Sequence, residues 1–276
     1  MIADNELQKV EANVDRNDRP WIIAGLVLLI GLVGVWLWLT PSGWWEKLRL
    51  LGYAVCHQME ARSFFYHHMQ SPLCARCTGM YLGGLLAIVF QAFQGRKGRF
   101  PPGWVMMILG LLFIWFGVDG LNSFMRFIPG FTYGYQPSNL LRLITGSGVG
   151  LGIGAILMPL FNQTAWADWI NRSFFEKWYG FPLLLLLAGL MVAGVFRQQP
   201  IILLPAMILS GFSVVFLLSA LHTVIALMLT RRSNRQTTWK QMKLPILIGV
   251  NLALLQIIVT SLLRFLMIGT WAPISL

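Results

Sequence analysis

Apolar runs of about 18 or more residues that hold no acidic or basic side chain recur along most of this chain, and runs of that length read as membrane-spanning helices rather than buried core helices. Charged residues make up only 11% of the 276 positions, where a soluble domain carries roughly a quarter. A soluble fold is excluded. The expected class is all-α, a polytopic bundle of about seven transmembrane helices.

The spans are expected at 21–39, 75–93, 103–122, 139–161, 179–196, 201–230 and 244–268. Residues 1–20 mix acidic and basic side chains and form a polar N-terminal segment; residues 21–276 form a single transmembrane domain. No small-residue cleavage site follows the first apolar stretch, so it is expected to remain as a span. The net charge of +11 reports topology and contact with anionic headgroups in such a chain, and nucleic acid is not expected as a partner. Alternate loops carry thirteen and six Lys and Arg residues, the richer set being the N-terminus, 94–102, 162–178 and 231–243. Cytoplasmic loops hold the excess. The expectation is therefore a protein of the cytoplasmic (inner) membrane with its N-terminus in and its C-terminus out. The segment at 40–78, the loop at 123–138, the turn at 197–200 and the C-terminal tail then face outward.

Two further stretches carry packing signals. Gly146, Gly150 and Gly154 fall on one GxxxG row and Gly148 and Gly152 on another, the pattern of a close helix seam. The segment TAWADWINRSFFEKW at 164–178 interleaves aromatic and charged residues, as an interfacial helix or aromatic belt does.

All three cysteines and three of the four histidines lie within 22 residues: Cys56, His57, His67, His68, Cys74 and Cys77. Cys74 and Cys77 form a CxxC at the mouth of the second expected span, where the helix dipole and Arg76 favour thiolate. Two chemistries use this arrangement. As a metal centre, Cys74, Cys77 and Cys56 supply three thiolates for zinc or another transition metal, with His57 as fourth ligand, or with His67 or His68 in that role, or with an open position. As a redox site, Cys74 and Cys77 cycle between dithiol and disulfide and Cys56 exchanges with one of them.

The string CHQ at 56–58, Arg62-Ser63-Phe64, and CARCTGMYLG at 74–83 resemble the signature of a family of bacterial and archaeal multi-pass membrane proteins, a domain of unknown function. Asp119-Gly120 and Asn139, Arg142, Thr145 and Gly146 extend the resemblance, which covers about 50–155. It implies that Cys56, His57, Cys74, Arg76, Cys77, Asp119 and Arg142 act as a group. His67 and His68 lie outside the signature.

Asp119 is the only acidic residue within an expected span, and an ionisable group in hydrocarbon is a functional candidate by default. Arg142, in the first outer turn of the fourth span, is its expected partner. Arg264, near the outer end of the seventh span, is expected as an interfacial anchor, with reach into the same vestibule as the alternative, and His222 as a satisfied histidine outside the site. The resulting expectation is an outward-facing Cys/His metal site, with Cys56, His57, Cys74 and Cys77 as ligands and Asp119, Arg142 and Arg76 as catalytic groups acting on a lipid or anionic headgroup. The alternatives are a membrane thiol-disulfide oxidoreductase using Cys74 and Cys77, and a transporter of a small solute or ion.

Overall fold

The computed structural model describes residues 2–126, 128 and 134–273; part of the expected outer loop at 123–138 lies outside them. The described residues form eight α-helices: α1 (Ile2–Leu39), α2 (Trp44–Tyr53), α3 (Ala75–Ala92), α4 (Gly103–Met125), α5 (Asn139–Ala165), α6 (Gly180–Phe196), α7 (Pro200–Leu229) and α8 (Lys243–Ile268). Seven coincide with the expected apolar stretches, and the chain is an all-α polytopic membrane protein. Five segments, Asp18–Leu39, Gly103–Met125, Asn139–Ala165, Pro200–Leu229 and Lys243–Ile268, are long and apolar enough to cross a membrane. The other two are shorter: α6 has 17 residues, and α3 has 18 that include Arg76 and Gln91.

The centre of the bundle is the pair α3 and α5, which meet along small residues. A Cβ at Gly146 would strike the Arg76 carbonyl, one at Gly150 the Met80 carbonyl, and one at Gly154 the Gly84 carbonyl at 2.6 Å. Reciprocally, Gly79 and Gly83 of α3 leave room for the backbone of α5 at Leu143 and Ser147. The second glycine row faces elsewhere, with Gly148 against Leu112 of α4. Both rows of the expected seam therefore serve packing, against two different neighbours. Helices α4 and α7 flank the central pair, α8 packs on α7, and α1 lies outermost against α8, where Asn251 Nδ2 donates to the Gly25 carbonyl at 3.1 Å.

Residues 40–74 are more ordered than a loop. Helix α2 buries Trp45, Leu48, Leu50 and Leu51 and leans on α7, where a Cβ at Gly211 would lie 2.9 Å from Leu48. Strands β1 (Ser63–Tyr66) and β2 (Met69–Cys74) form an antiparallel hairpin in which Ser63 pairs with Cys74 and Tyr66 with Met69. His67, at φ 51, turns the chain at the tip.

The expected interfacial helix at 164–178 is not one. Helix α5 ends at Ala165, and the chain continues into β4 (Ile170–Ser173), which pairs in parallel with β3 (Lys97–Arg99). Trp166 stacks under the Arg96 guanidinium at 3.7 Å and meets Trp239 edge-on, while Phe174 and Phe175 enter the core. Trp166, Phe174 and Phe175 therefore pack inward and knit the loops together, while Trp178 of the same segment is exposed.

Candidate metal centre

Cys56 is placed by the exit from α2. Its N–H donates to the Gly52 carbonyl at 2.9 Å, and Gly52 lets β2 approach, since a Cβ there would run into the Pro72 carbonyl. That close approach brings the end of α2 to the end of β2, where Cys74 caps α3 and Cys77 follows in its first turn. The three sulfurs all lie within 4.8 Å of one another, and none is in a disulfide. The cluster is protected from solvent, with Cys56 and Cys74 buried and Cys77 half-buried. Three cysteines in this arrangement could hold a metal ion.

Electrostatically the thiols are unequal. The Cys56 Sγ accepts from the Cys74 N–H at 3.2 Å and from the Gln58 N–H at 3.5 Å. Between the side chains, Cys56 donates to Cys74: this pushes the Cys56 thiol up to about 12 and holds Cys74 well below the usual thiol range. A thiolate at Cys74, at the N-terminus of α3, is the state a metal requires.

His57 lies beside this group and helps to lower Cys74, but it is not within the same radius of all three sulfurs. Its Nδ1 accepts the Met59 N–H at 3.0 Å, so Nε2 is the nitrogen it can offer to a ligand. His67 and His68 are both exposed at the far tip of the hairpin, four residues of β1 away from the Ser63–Cys74 pair. At about 3.3 Å per residue that separation excludes them as ligands in this fold.

Two residues outside the expected site hold it in shape. Gln58 is wholly buried at φ 54; its Nε2 donates to the carbonyls of Arg49 and Pro72, both at 2.7 Å, and its own carbonyl accepts from Gln70 Nε2 at 2.7 Å. It ties α2, the hairpin and the cysteine loop into one unit. Arg264 of α8, expected as an anchor at the interface, instead donates to the carbonyls of Tyr53, Cys56 and His57 and stacks on the Tyr53 ring at 3.9 Å. The histidine and glutamine of CHQ signalled Gln58 only as a motif neighbour, and nothing in the sequence pairs Arg264 with Cys56.

The ion pair also differs from expectation. Asp119 is wholly buried and pairs with Arg76, not Arg142, and its second oxygen accepts the Tyr135 hydroxyl at 3.0 Å. Gly146 of α5 lets the backbone of α3 at Arg76 approach closely, and the Arg76 guanidinium extends to α4, where it lies beside Gly120. Arg76 also donates to Ser123 Oγ at 3.2 Å and lies over the Phe116 ring. Arg142, buried, instead donates to Asn139 Oδ1 at 2.9 Å. It remains within electrostatic reach of Arg62, Arg76, Asp119 and Cys74, but its ion pair with Asp119 is not formed. Arg62 donates to the Ser123 carbonyl at 3.3 Å, and burial together with Arg76 lowers its pKa. His222 bonds within its own helix, to the Leu218 carbonyl at 2.8 Å, and stands apart from the site.

A family described as "Predicted membrane protein (DUF2085)" matches residues 56–156. An uncharacterized protein of Methanocaldococcus jannaschii is 32% identical over 126 residues, covering 44% of this chain and 74% of the relative. A second, from Methanothermobacter thermautotrophicus, is 30% identical over 107 residues, covering 38% of this chain and 86% of the relative. The chain belongs to this family. No solved structure matches it. The family segment contains all three cysteines and the elements α3, α4 and most of α5, so it carries the cysteine group, Arg62, Arg76, Asp119 and Arg142 together. The parts that brace the site, α2 with Arg49 and α8 with Arg264, lie outside the segment.

Proposed function

We propose that the cysteine group is a metal centre of zinc type, built from Cys56, Cys74 and Cys77 with His57 beside the fourth position, on the outer face of the inner membrane. The observation that carries this reading is the convergence of three sulfurs from a loop, a strand end and a helix turn within 4.8 Å, with no disulfide among them. Three thiolates are a recurrent zinc-ligand set, and a bound metal would supply Lewis acidity toward an anionic oxygen. Arg76 and Arg142 are the groups that would bind an anionic headgroup beside it. Asp119 serves as an orienting group, since both its oxygens are engaged and none of its surface is exposed. We further propose seven crossings with the N-terminus inside, which places the cysteine loop outside.

The test is bound metal in the purified full chain, with a free-thiol count before and after reduction. Cys56→Ser, Cys74→Ser and Cys77→Ser should each lower bound metal to near zero. His57→Ala should retain metal with affinity reduced by about 10–100-fold, the range for a supporting ligand or its partner. Stoichiometric metal that survives loss of any one cysteine would overturn the three-sulfur centre. Absence of metal together with a native disulfide would replace it with thiol-disulfide chemistry at Cys74 and Cys77.

A further inference from the structure

A lipid-facing groove of about 680 Å³ lies on the α3–α5 seam between α4 and α7, lined by Tyr81, Phe113, Val149, Ile153, Leu157 and Leu217 among others. Its size falls in the range of ligand pockets. The groove points at the site. Residues one turn apart on a helix share a face, so Met80 and Tyr81, at its upper rim on α3, stand directly below Arg76 and Cys77. On α5, Val149 and Ile153 lie on the same face as Thr145 and Arg142. On α4, Phe113 is one turn from Phe116, whose ring lies 5.4 Å from the Arg76 guanidinium. The groove's own lining holds no arginine and ends at Met80, Phe113 and Val149; on each of the three helices the next one to two turns beyond that end carry Arg76, Asp119 and Arg142.

That upper end is unevenly charged. Arg62 and Arg76 both donate to Ser123, at 3.3 and 3.2 Å, and Arg142 holds Asn139, whose amide reaches the Ala61 carbonyl beside Arg62, so the three guanidiniums gather around the buried carboxylate of Asp119. The Nε atoms of Arg76 and Arg142 are both buried and have no hydrogen-bond acceptor among the described residues. Buried guanidinium donors without acceptors are costly, and anionic oxygens satisfy them with charge-assisted bonds. A second groove of about 500 Å³ lies between α4 and α6, lined by Leu140, Ile144, Gly148 and Leu151 on α5. That face of α5 is turned away from Arg142, so this groove meets Arg197 alone and not the cluster of Arg62, Arg76 and Arg142.

We propose that the α4–α7 groove and the Arg62, Arg76 and Arg142 cluster form one binding site for an anionic membrane lipid, the chain lying in the groove and the headgroup oxygens on the guanidiniums. This names the substrate class of the centre proposed above and rests on that reading for its relation to the metal. The order of groups along the site puts the headgroup next to the cysteine sulfurs. The commitment is to a lipid over free phosphate because the arginines sit at the end of an apolar groove.

The experiment uses the full chain in a neutral detergent, with unfolding temperature and bound metal read on the same samples. The probes are dioleoylphosphatidylglycerol, dioleoylphosphatidylcholine and inorganic phosphate. Phosphatidylglycerol should raise the unfolding temperature, phosphatidylcholine of the same chains should not, and phosphate should act only at much higher concentration. Arg142→Gln should weaken the phosphatidylglycerol response about tenfold, the worth of one charge-assisted bond. Arg62→Gln, at a half-buried loop position, should do the same and serves if Arg142→Gln does not fold. Ile153→Trp, which fills the groove from a position 39% exposed, should weaken the lipid response and leave the phosphate response unchanged. Equal responses to the two lipids, or an unchanged phosphatidylglycerol response in both arginine variants, would overturn the lipid site. A phosphate response as strong as that of phosphatidylglycerol would also overturn it, in favour of a free anion. Lipid discrimination in a protein without metal would remove the metal centre and leave the lipid site standing; stoichiometric metal without discrimination would do the reverse.

Discussion

Asp119 is held by two donors, the Arg76 guanidinium and the Tyr135 hydroxyl, and has no exposed surface. Asp119→Asn leaves Arg76 without its counter-charge, and Arg76→Gln leaves a buried carboxylate. Removing one partner of a buried pair costs about 3–5 kcal/mol, and the lower end is expected here because the Arg76 side chain is 18% exposed. In denaturant unfolding the double variant should cost less than the sum of the two singles. The same cycle with Arg142→Gln should give a smaller coupling, because Arg142 bonds Asn139 and reaches Asp119 only through space. A coupling at least as large for Arg142 would contradict the pairing. Burial and Asp119 push the Tyr135 hydroxyl up to about 12, so it stays protonated as a donor across the ordinary pH range. The sequence reveals Asp119, Arg76 and Arg142 as charges that hydrocarbon would not tolerate unpaired. Which arginine reaches the carboxylate depends on how α3 sits between α4 and α5, and Gly146 sets that by letting the Arg76 backbone press on α5. Periodicity along one helix carries no such information.

The pair α3 and α5 makes the strongest statement about elements. Gly146→Ala and Gly150→Ala each place a methyl against the backbone of α3, at carbonyl oxygens that cannot rotate away. Overpacking of this kind costs about 1–3 kcal/mol, and because backbone is the obstacle the upper end is expected, with reduced folded yield. Gly152→Ala is the control, since its nearest neighbour is Leu109 Cδ2 at 3.9 Å. Thermal unfolding in detergent should separate Gly146→Ala and Gly150→Ala from Gly152→Ala by several degrees; equal shifts would mean the seam is looser than its geometry implies. The GxxxG rows were readable because small residues have few other reasons to repeat at that spacing in a span. Helix α2 was not, because Glu46, Lys47 and Arg49 within its ten residues mask the apolar face that packs on α7. The hairpin was hidden for a different reason. Its turn is His67-His68, without the Asn-Gly or Asp-Gly that marks a tight turn, and His67 takes the positive φ itself. The hairpin carries Cys74 to Cys56 and carries His67 and His68 away, so it is the hairpin that separates the cysteines from those two histidines.

At the scale of the molecule, alternate loops gather at opposite ends of the bundle. At one end Arg232 pairs with Asp18 through two bonds of 2.6 and 2.7 Å, Arg96 pairs with Asp168, and the Gln236 carbonyl accepts the Ala167 N–H at 2.9 Å. At the other, Arg49 donates to the Trp271 carbonyl at 2.9 Å, Tyr53 to the Thr270 carbonyl at 2.8 Å, and Arg62 to the Ser123 carbonyl at 3.3 Å. These are the two sets into which charge counting divides the loops, and the basic set is the one containing Asp18 and Arg232. The contacts say which segments share an end; the positive-inside rule says which end is cytoplasmic. The proposed seven crossings need α3 and α6 to span as short helices beside the five segments that are long and apolar enough on their own. The orientation can be measured in intact cells, in a background where the native cysteines are blocked. A cysteine at Ser233, in the basic set, should be shielded from an impermeant thiol reagent. One at Gln136, exposed at the opposite end, should react. The reverse pattern would place Cys56, Cys74 and Cys77 on the reducing side, where thiols persist without a metal to hold them and disulfide exchange loses its oxidant. The lipid site would then draw its ligand from the inner leaflet, so labelling at Ser233 and Gln136 decides both the compartment of the cysteines and the leaflet the arginines face.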